Sequence, residues 1–231
     1  MGKNLKSGLK IQNNKFNCFG GNIMNRTLIF DLDGTLWDTT EQVTIVWNNV
    51  AKKYNIDIEN FSINSIMGLT TSEIISELFD NNSEIGRSFI NECQKSENEY
   101  LSMYGGNIYI NTISTIKKLA KKFDLYIVSN CQDGYIQSFL NFYDLKDYFK
   151  DYECSGKTNL AKVDNLKLLM KRNNIDHSIY IGDTEKDYCS AINSNNKFIW
   201  ATYGFGICKN YDYSINDISE LLTILQNKNL T

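Results

Sequence analysis

The spacing of apolar residues changes character twice along the chain. Leu28-Ile29-Phe30 is a short unbroken apolar run that stops at Asp31-Leu32-Asp33-Gly34-Thr35. A run of that length predicts a strand buried on both faces, as in a parallel sheet, with Gly34 turning the chain out of it. From Thr39 to about Gly105 the spacing becomes helical. Val43, Val46, Trp47, Val50, Ala51 and Tyr54 form an amphipathic stripe. Ile74, Ile75, Leu78 and Phe79 form a second, and Phe89, Ile90, Cys93, Tyr100, Leu101 and Tyr104 a third. Aromatic stripes of this kind predict core packing.

From about Asn111 strand and helix patterns alternate. Ile113, Ile116, Leu119 and Ala120 predict a helix, and Leu125-Tyr126-Ile127-Val128 a buried strand ending at Ser129-Asn130. Tyr135, Ile136, Phe139 and Leu140 predict the next helix, with a weak strand around Tyr152. Leu166, Leu169 and Met170 mark another helix. Ile179-Tyr180-Ile181 is a strand ending at Gly182-Asp183, Phe198-Ile199-Trp200-Ala201 a further one, and Ile218, Leu221, Leu222 and Leu225 a last helix. Alternation of this kind predicts an α/β fold, a Rossmann-like parallel sheet covered on both faces, with a helical domain inserted after the first strand. The expected division is a leader over 1–26, a core over 27–38 plus 108–231, and the helical insertion over 39–107. The leader has lysines, no acidic residue and no periodicity, so it reads as flexible, with Met24 close to the start of the folded unit.

Composition narrows the classes. The chain has 231 residues, 42% of them hydrophobic, enough for one core with an insertion or for two small ones. A net charge of −3 leaves no basic footprint for nucleic acid or an anionic membrane. No apolar stretch approaches the ~20 residues of a membrane span. Six scattered cysteines, with no CxxC pair, suit reduced thiols in the cytoplasm. The single histidine, His177, argues against a His-rich metal site or a Ser-His-Asp triad. The chain has no proline, against roughly 5% in average usage, and this reads as compositional bias together with its many Asn, Ile and Lys.

Three polar clusters stand at C-terminal strand ends: Asp31 with Asp33, Ser129 with Asn130, and Gly182-Asp183 running on to Asp187. In an open α/β sheet these ends lie on the ligand-binding edge. Two carboxylates at i and i+2 leave a regular strand on one face and repel, so a divalent cation, a shared proton or a bend must relieve them. With Asp183 they make an all-oxygen donor set suited to Mg²⁺. Ser129 and the Asn130 backbone amide are placed to donate to a phosphate oxygen, and a lysine ahead of the following helix can neutralise its charge.

The chain resembles the haloacid dehalogenase-like hydrolase superfamily over residues 24–231. The resemblance rests on Asp31-Leu32-Asp33-Gly34-Thr35, on Val128-Ser129-Asn130, and on Gly182-Asp183 through Asp187, in that order. The helical insertion between the first two motifs resembles the small cap of the phosphoglycolate phosphatase-like branch. The superfamily's lysine motif is usually Lys-Pro, which a proline-free chain lacks. Lys157 and Lys162 are both candidates, and Lys162, just before the Leu166 helix, matches the position better.

The resemblance implies a Mg²⁺-dependent phosphatase acting on a small-molecule phosphate monoester. Asp31 is the implied nucleophile, forming a phosphoaspartate, and Asp33 the general acid and base. Ser129, Asn130 and Lys162 would hold the phosphoryl oxygens. The metal would be held by the Asp31 carboxylate, the Asp33 backbone carbonyl and Asp183, with Asp187 acting through water or a hydrogen bond. Asp33 separates the chain from the dehalogenase branch, which lacks it, and from the transport ATPases, which carry Thr there. Phosphosugar mutase chemistry and a catalytically silent scaffold are the alternatives. Gly68-Leu69-Thr70-Thr71 reads as a loop dipping into the site or a plain turn. Trp37, Asp38 and Tyr203-Gly204-Phe205-Gly206 read as pocket-mouth residues or as packing and turn residues.

Overall fold

Strand β1 (Thr27–Phe30) is the central strand of a six-stranded parallel sheet, flanked by β4 (Asp124–Ser129) and β6 (Ile179–Gly182). On the β4 side lies β5 (Phe149–Cys154), and on the β6 side β7 (Lys197–Ala201) followed by β8 (Tyr213–Ile215). The computed structural model describes residues 27–58, 62–79 and 83–226, so the leader over 1–26 lies outside the described residues. Leu28, Ile29 and Phe30 are wholly buried, which is why the run does not alternate. Leu28 and Phe30 point into one apolar layer and Ile29 into the other, as the two-residue period of a strand requires.

The layer over Leu28 and Phe30 is closed by α4 (Thr112–Leu119), α5 (Tyr135–Phe142) and the C-terminal turn α9 (Leu221–Ile224), through Ile116, Phe139 and Leu221. The layer over Ile29 is closed by α7 (Lys162–Arg172) and α8 (Glu185–Asn193), through Leu166, Leu169 and Ala191. Each fully buried Leu, Ile or Phe contributes about 1.5–3 kcal/mol of transfer free energy. The sheet, with helices on both faces, is the α/β architecture its alternating pattern predicts.

Between β1 and β4 the chain builds a third apolar cluster. It is formed by α1 (Thr40–Tyr54), α2 (Thr71–Leu78) and the long α3 (Glu84–Tyr104), around Trp47, Phe89 and Ile90. The third stripe divides between clusters: Phe89, Ile90 and Cys93 lie with α1, while Leu101 joins the core beneath the sheet. A ribbon of two short strands, β2 (Trp37–Asp38) and β3 (Asn107–Ile108), pairs the chain leaving β1 with the chain returning from α3.

Four details depart from the pattern reading. β2, β3 and β8 span only two or three residues, too few for a period to show. The expected C-terminal helix is broken into a 3₁₀ turn over Ile218–Glu220, started by the Asp217 carboxylate accepting from the Ser219 amide at 2.8 Å, and then α9. Phe79, expected in the second stripe, is extended and ends α2. A single helical turn, α6 (Ser155–Thr158), follows β5.

Candidate active site

Asp31 is the first residue beyond β1, and its amide still donates to the Ile181 carbonyl at 2.8 Å, so the sheet fixes its backbone. The chain then turns sharply: the Leu36 amide reaches back to the Leu32 carbonyl at 2.8 Å, with Gly34 at φ +77°. Any side chain at Gly34 would be strained by that φ, and its Cβ would lie 2.3 Å from Asp183 Oδ2. Gly204 is equally confined, since a Cβ there would lie 2.3 Å from both the Asp183 Cβ and the Gly34 carbonyl oxygen. The two glycines thus let the loops after β1 and β7 close on Asp183.

Asp31, Asp183 and Asp187 come together, with one carboxylate oxygen from each within 4.8 Å of the others. Lys162, buried at the start of α7, bridges two of them, its Nζ standing 3.0 Å from Asp31 and 2.6 Å from Asp187. Burial pushes the lysine's pKa down, but Asp187 and Asp31 overcome it and hold the ammonium well above its usual range. Lys157 is elsewhere, half-exposed and 3.5 Å from Glu153.

Asp187 has both oxygens engaged. Oδ1 accepts from Lys162, and Oδ2 accepts from the Asp183 amide, the Thr184 amide and the Thr184 hydroxyl in a capping box that starts α8. Asp31 and Asp183 differ from it: each has one buried oxygen, Oδ1, without a partner. The other Asp183 oxygen accepts from the Phe205 amide at 2.7 Å and the Gly206 amide at 3.3 Å. Three carboxylates thus face one ammonium, with two orphaned oxygens beside them. Burial raises the Asp31 pKa to about 6 against the opposing pull of Lys162, and raises that of Asp183 to about 8 with Asp187 and Asp31 adding to it. A hard divalent cation held by oxygen fits this donor set, relieving the orphaned atoms and the excess negative charge together.

The Asp33 carboxylate turns away from that cluster. Its Oδ1 accepts from the Tyr135 hydroxyl at 2.8 Å, while Thr39 lies 3.4 Å from the same oxygen and 2.7 Å from Tyr135. Burial raises the Asp33 pKa to about 7, opposed by the Tyr135 hydrogen bond and reinforced by the charges of Asp31 and Glu97. The Ser129 hydroxyl, at the end of β4, is buried near the Cys131 amide. The Asn130 side chain accepts from Ser155 at 3.0 Å and donates to the Gly68 carbonyl at 2.9 Å, tying the helical part to the sheet edge. Gly68 therefore does reach the site.

Trp37 and Asp38 are packing and turn residues. Trp37 is wholly buried against Tyr135, Phe139 and Tyr143, and Asp38 accepts from the Thr40 amide at 2.9 Å at the start of α1. Three polar contributors escape a pattern reading. Thr39 and Tyr135 look like a helix boundary and a stripe member. Glu97 is buried on α3, one oxygen accepting from Trp47 Nε1 and the other from Gln132 Nε2 at 2.7 Å. Its signal was available: Cys93, Glu97 and Leu101 follow at steps of four, which puts a carboxylate in the buried stripe.

The sequence matches the family described as haloacid dehalogenase-like hydrolase over residues 28–201. Among curated proteins it is similar to pyrophosphatase PpaX of Oceanobacillus iheyensis, 22% identical over 210 residues, covering 87% of this chain and 96% of that protein. Among solved structures it resembles one described as a predicted phosphatase from Clostridium acetobutylicum, with a TM-score of 0.71, 25% identity, and coverage of 88% of this chain and 99% of that one. It also shares its fold with one described as a predicted phosphoglycolate phosphatase from Haemophilus somnus, at a TM-score of 0.68 and 18% identity over 88% of this chain and 99% of that one. With three strand-end motifs gathered on one sheet edge and a family match across most of its length, the chain belongs to the haloacid dehalogenase-like hydrolases.

Proposed function

We propose that the protein is a Mg²⁺-dependent phosphatase that hydrolyses a small-molecule phosphate monoester through a phosphoaspartate on Asp31, with Asp33 as general acid and base. The observation that carries this reading is the division of labour between two buried carboxylates two residues apart. Asp31 faces an ammonium and two further carboxylates, while Asp33 faces hydroxyls and holds its proton up to about pH 7. One is therefore suited to attack as an anion, and the other to donate a proton.

Asp31 would attack phosphorus through its carboxylate while the ester oxygen departs in line. Asp33 would give its proton to that oxygen, so the alcohol leaves neutral. It would then take a proton from the water that attacks the phosphoaspartate, releasing phosphate and restoring Asp31. Ser129, the Asn130 amide and Lys162 would hold the non-bridging oxygens, with the lysine matching charge that spreads over them. Asp31, the Asp33 backbone carbonyl and Asp183 would hold the metal, with Asp187 acting through its hydrogen bonds to the Asp183 backbone and Lys162. A bound Mg²⁺ would supply charge neutralisation between nucleophile and phosphate dianion.

The helical segment over 39–107 would act as the cap over this edge, excluding water and sorting alcohols. Among the described residues no helix is long and apolar enough to cross a membrane, and a small organic phosphate is the partner the buried site suits.

Phosphate release from a panel of small phosphate monoesters, with Mg²⁺ and with a chelator, tests the assignment. Metal-dependent release is expected. Isomerised sugar phosphate without release would identify a mutase instead, and no reaction with any ester would overturn both.

A further inference from the structure

Beside Asp33 the helical part and the sheet edge form a small, partly open chamber of about 50 Å³. Asp31, Asp33 and Ser129 line one side of it. The rest of the lining is largely apolar, with Trp47, Ile66, Leu69 and Ile74 prominent, and is interrupted by Gln94, Glu97, Gln132 and Tyr135. No lysine or arginine occurs among the described residues that line it. Lys95, Lys162 and Lys186 line an adjoining, larger cavity of about 1070 Å³, which shares Gln94 and Gln132 with the chamber and does not include Asp33. In the mechanism above the leaving oxygen must meet Asp33, so the alcohol lies on the side of the small chamber.

Glu97 is held facing that space. Trp47 and Gln132 each donate one N–H to a different carboxylate oxygen, which leaves further lone pairs on both. Its burial raises its pKa to about 7 against those two hydrogen bonds. A hydroxyl or ammonium on the alcohol finds an acceptor there. A carboxylate or a second phosphate meets the carboxyl groups of Asp33 and Glu97 and no lysine or arginine among the lining residues, so it loses hydration there without gaining a counter-charge.

Resting on the phosphatase reading, we propose that Glu97 is a specificity-determining residue and that the chamber selects phosphate esters of compact alcohols bearing hydrogen-bond donors and no negative charge. Exclusion works as much by the missing cation as by the acceptor offered. The proposal therefore separates this chain from the pyrophosphatase it resembles, because pyrophosphate departs as an anion.

The test measures kcat and KM of the full chain with Mg²⁺ on 4-nitrophenyl phosphate, glycerol 1-phosphate, phosphoethanolamine, 2-phosphoglycolate and pyrophosphate, for the wild type and for Glu97→Gln. Glycerol 1-phosphate or phosphoethanolamine should exceed 2-phosphoglycolate and pyrophosphate by about tenfold or more in kcat/KM. The better of the two identifies a neutral or a cationic alcohol. In Glu97→Gln that gap should shrink, chiefly through a lower KM for 2-phosphoglycolate. Preference for either anionic substrate in the wild type, or an unchanged ratio in the variant, would overturn the proposal while leaving the phosphatase reading intact. The wild-type ranking decides even if the variant does not fold. Absence of turnover on every ester, 4-nitrophenyl phosphate included, would overturn the phosphatase reading and this proposal with it.

Discussion

The Tyr135 hydroxyl donates to the Asp33 carboxylate at 2.8 Å, joining residues 102 positions apart in sequence. This bond favours the ionised form of Asp33 against the burial that raises its pKa. Tyr135→Phe should therefore raise the Asp33 pKa further. The high-pH limb of the rate profile, where the general acid is lost, should move upward by about one unit or less, since Thr39 remains at 3.4 Å. An unmoved limb would separate Asp33 from that ionisation.

Lys162 is a buried cation between two buried carboxylates. Removing one partner of such an arrangement leaves charge uncompensated at a cost of about 3–5 kcal/mol. Lys162→Met should lower the denaturation midpoint accordingly and reduce kcat by about 10²–10³ through the lost phosphoryl contact. Lys157→Met, at a half-exposed position, should change stability by about 1 kcal/mol or less. Chemical denaturation together with steady-state kinetics checks both.

Gly34 couples backbone shape to the carboxylate cluster. Gly34→Ala forces a side chain into φ +77° and sets its Cβ against Asp183. A loss of about 1–3 kcal/mol is expected from the backbone strain. The Mg²⁺ concentration for half-maximal activity should also rise, because Asp183 must shift. Metal titration of activity in the variant measures it.

Asp31, Asp33 and Asp183 all have carboxyl pKa values raised by burial, to about 6, 7 and 8. Each binds its proton more tightly folded than unfolded, so between about pH 4 and the folded value stability falls as pH rises. Carboxyls with lowered values, such as Asp151 and Glu73, are already ionised in both states above about pH 5.5 and do not oppose the trend there. The metal-free protein should melt at a lower temperature at pH 7.5 than at pH 5.5. Added Mg²⁺ should raise the midpoint more at pH 7.5, where its ligands are ionised without competition from protons. Thermal unfolding at the two pH values, with and without Mg²⁺, checks the sign.

The strand ends were legible because burial on both faces leaves an unbroken apolar run, and a carboxylate that interrupts such a run is conspicuous. Asp31, Asp33 and Asp183 stand out in that way, Ser129 and Asn130 likewise end the run of β4, and the sheet brings these strand ends to one edge, with Asp187 following in the first turn of α8. Tyr135 and Trp47 were hidden for the opposite reason: each is apolar enough to belong to a helix stripe, and only its polar tip takes part. Thr39 sits at a helix boundary, where threonine is commonplace. Whether Lys157 or Lys162 meets the carboxylates depends on the turn α6 and the start of α7, a short stretch of backbone that no period describes.

The account turns on Asp31 as the attacking group. The most direct measurement is mass spectrometry of acid-quenched enzyme during Mg²⁺-supported turnover of a monoester, with Asp31→Asn alongside. A phosphoryl adduct on the peptide carrying Asp31, absent from the variant together with phosphate release, is the predicted result. Metal-dependent release by Asp31→Asn at the wild-type rate would contradict it.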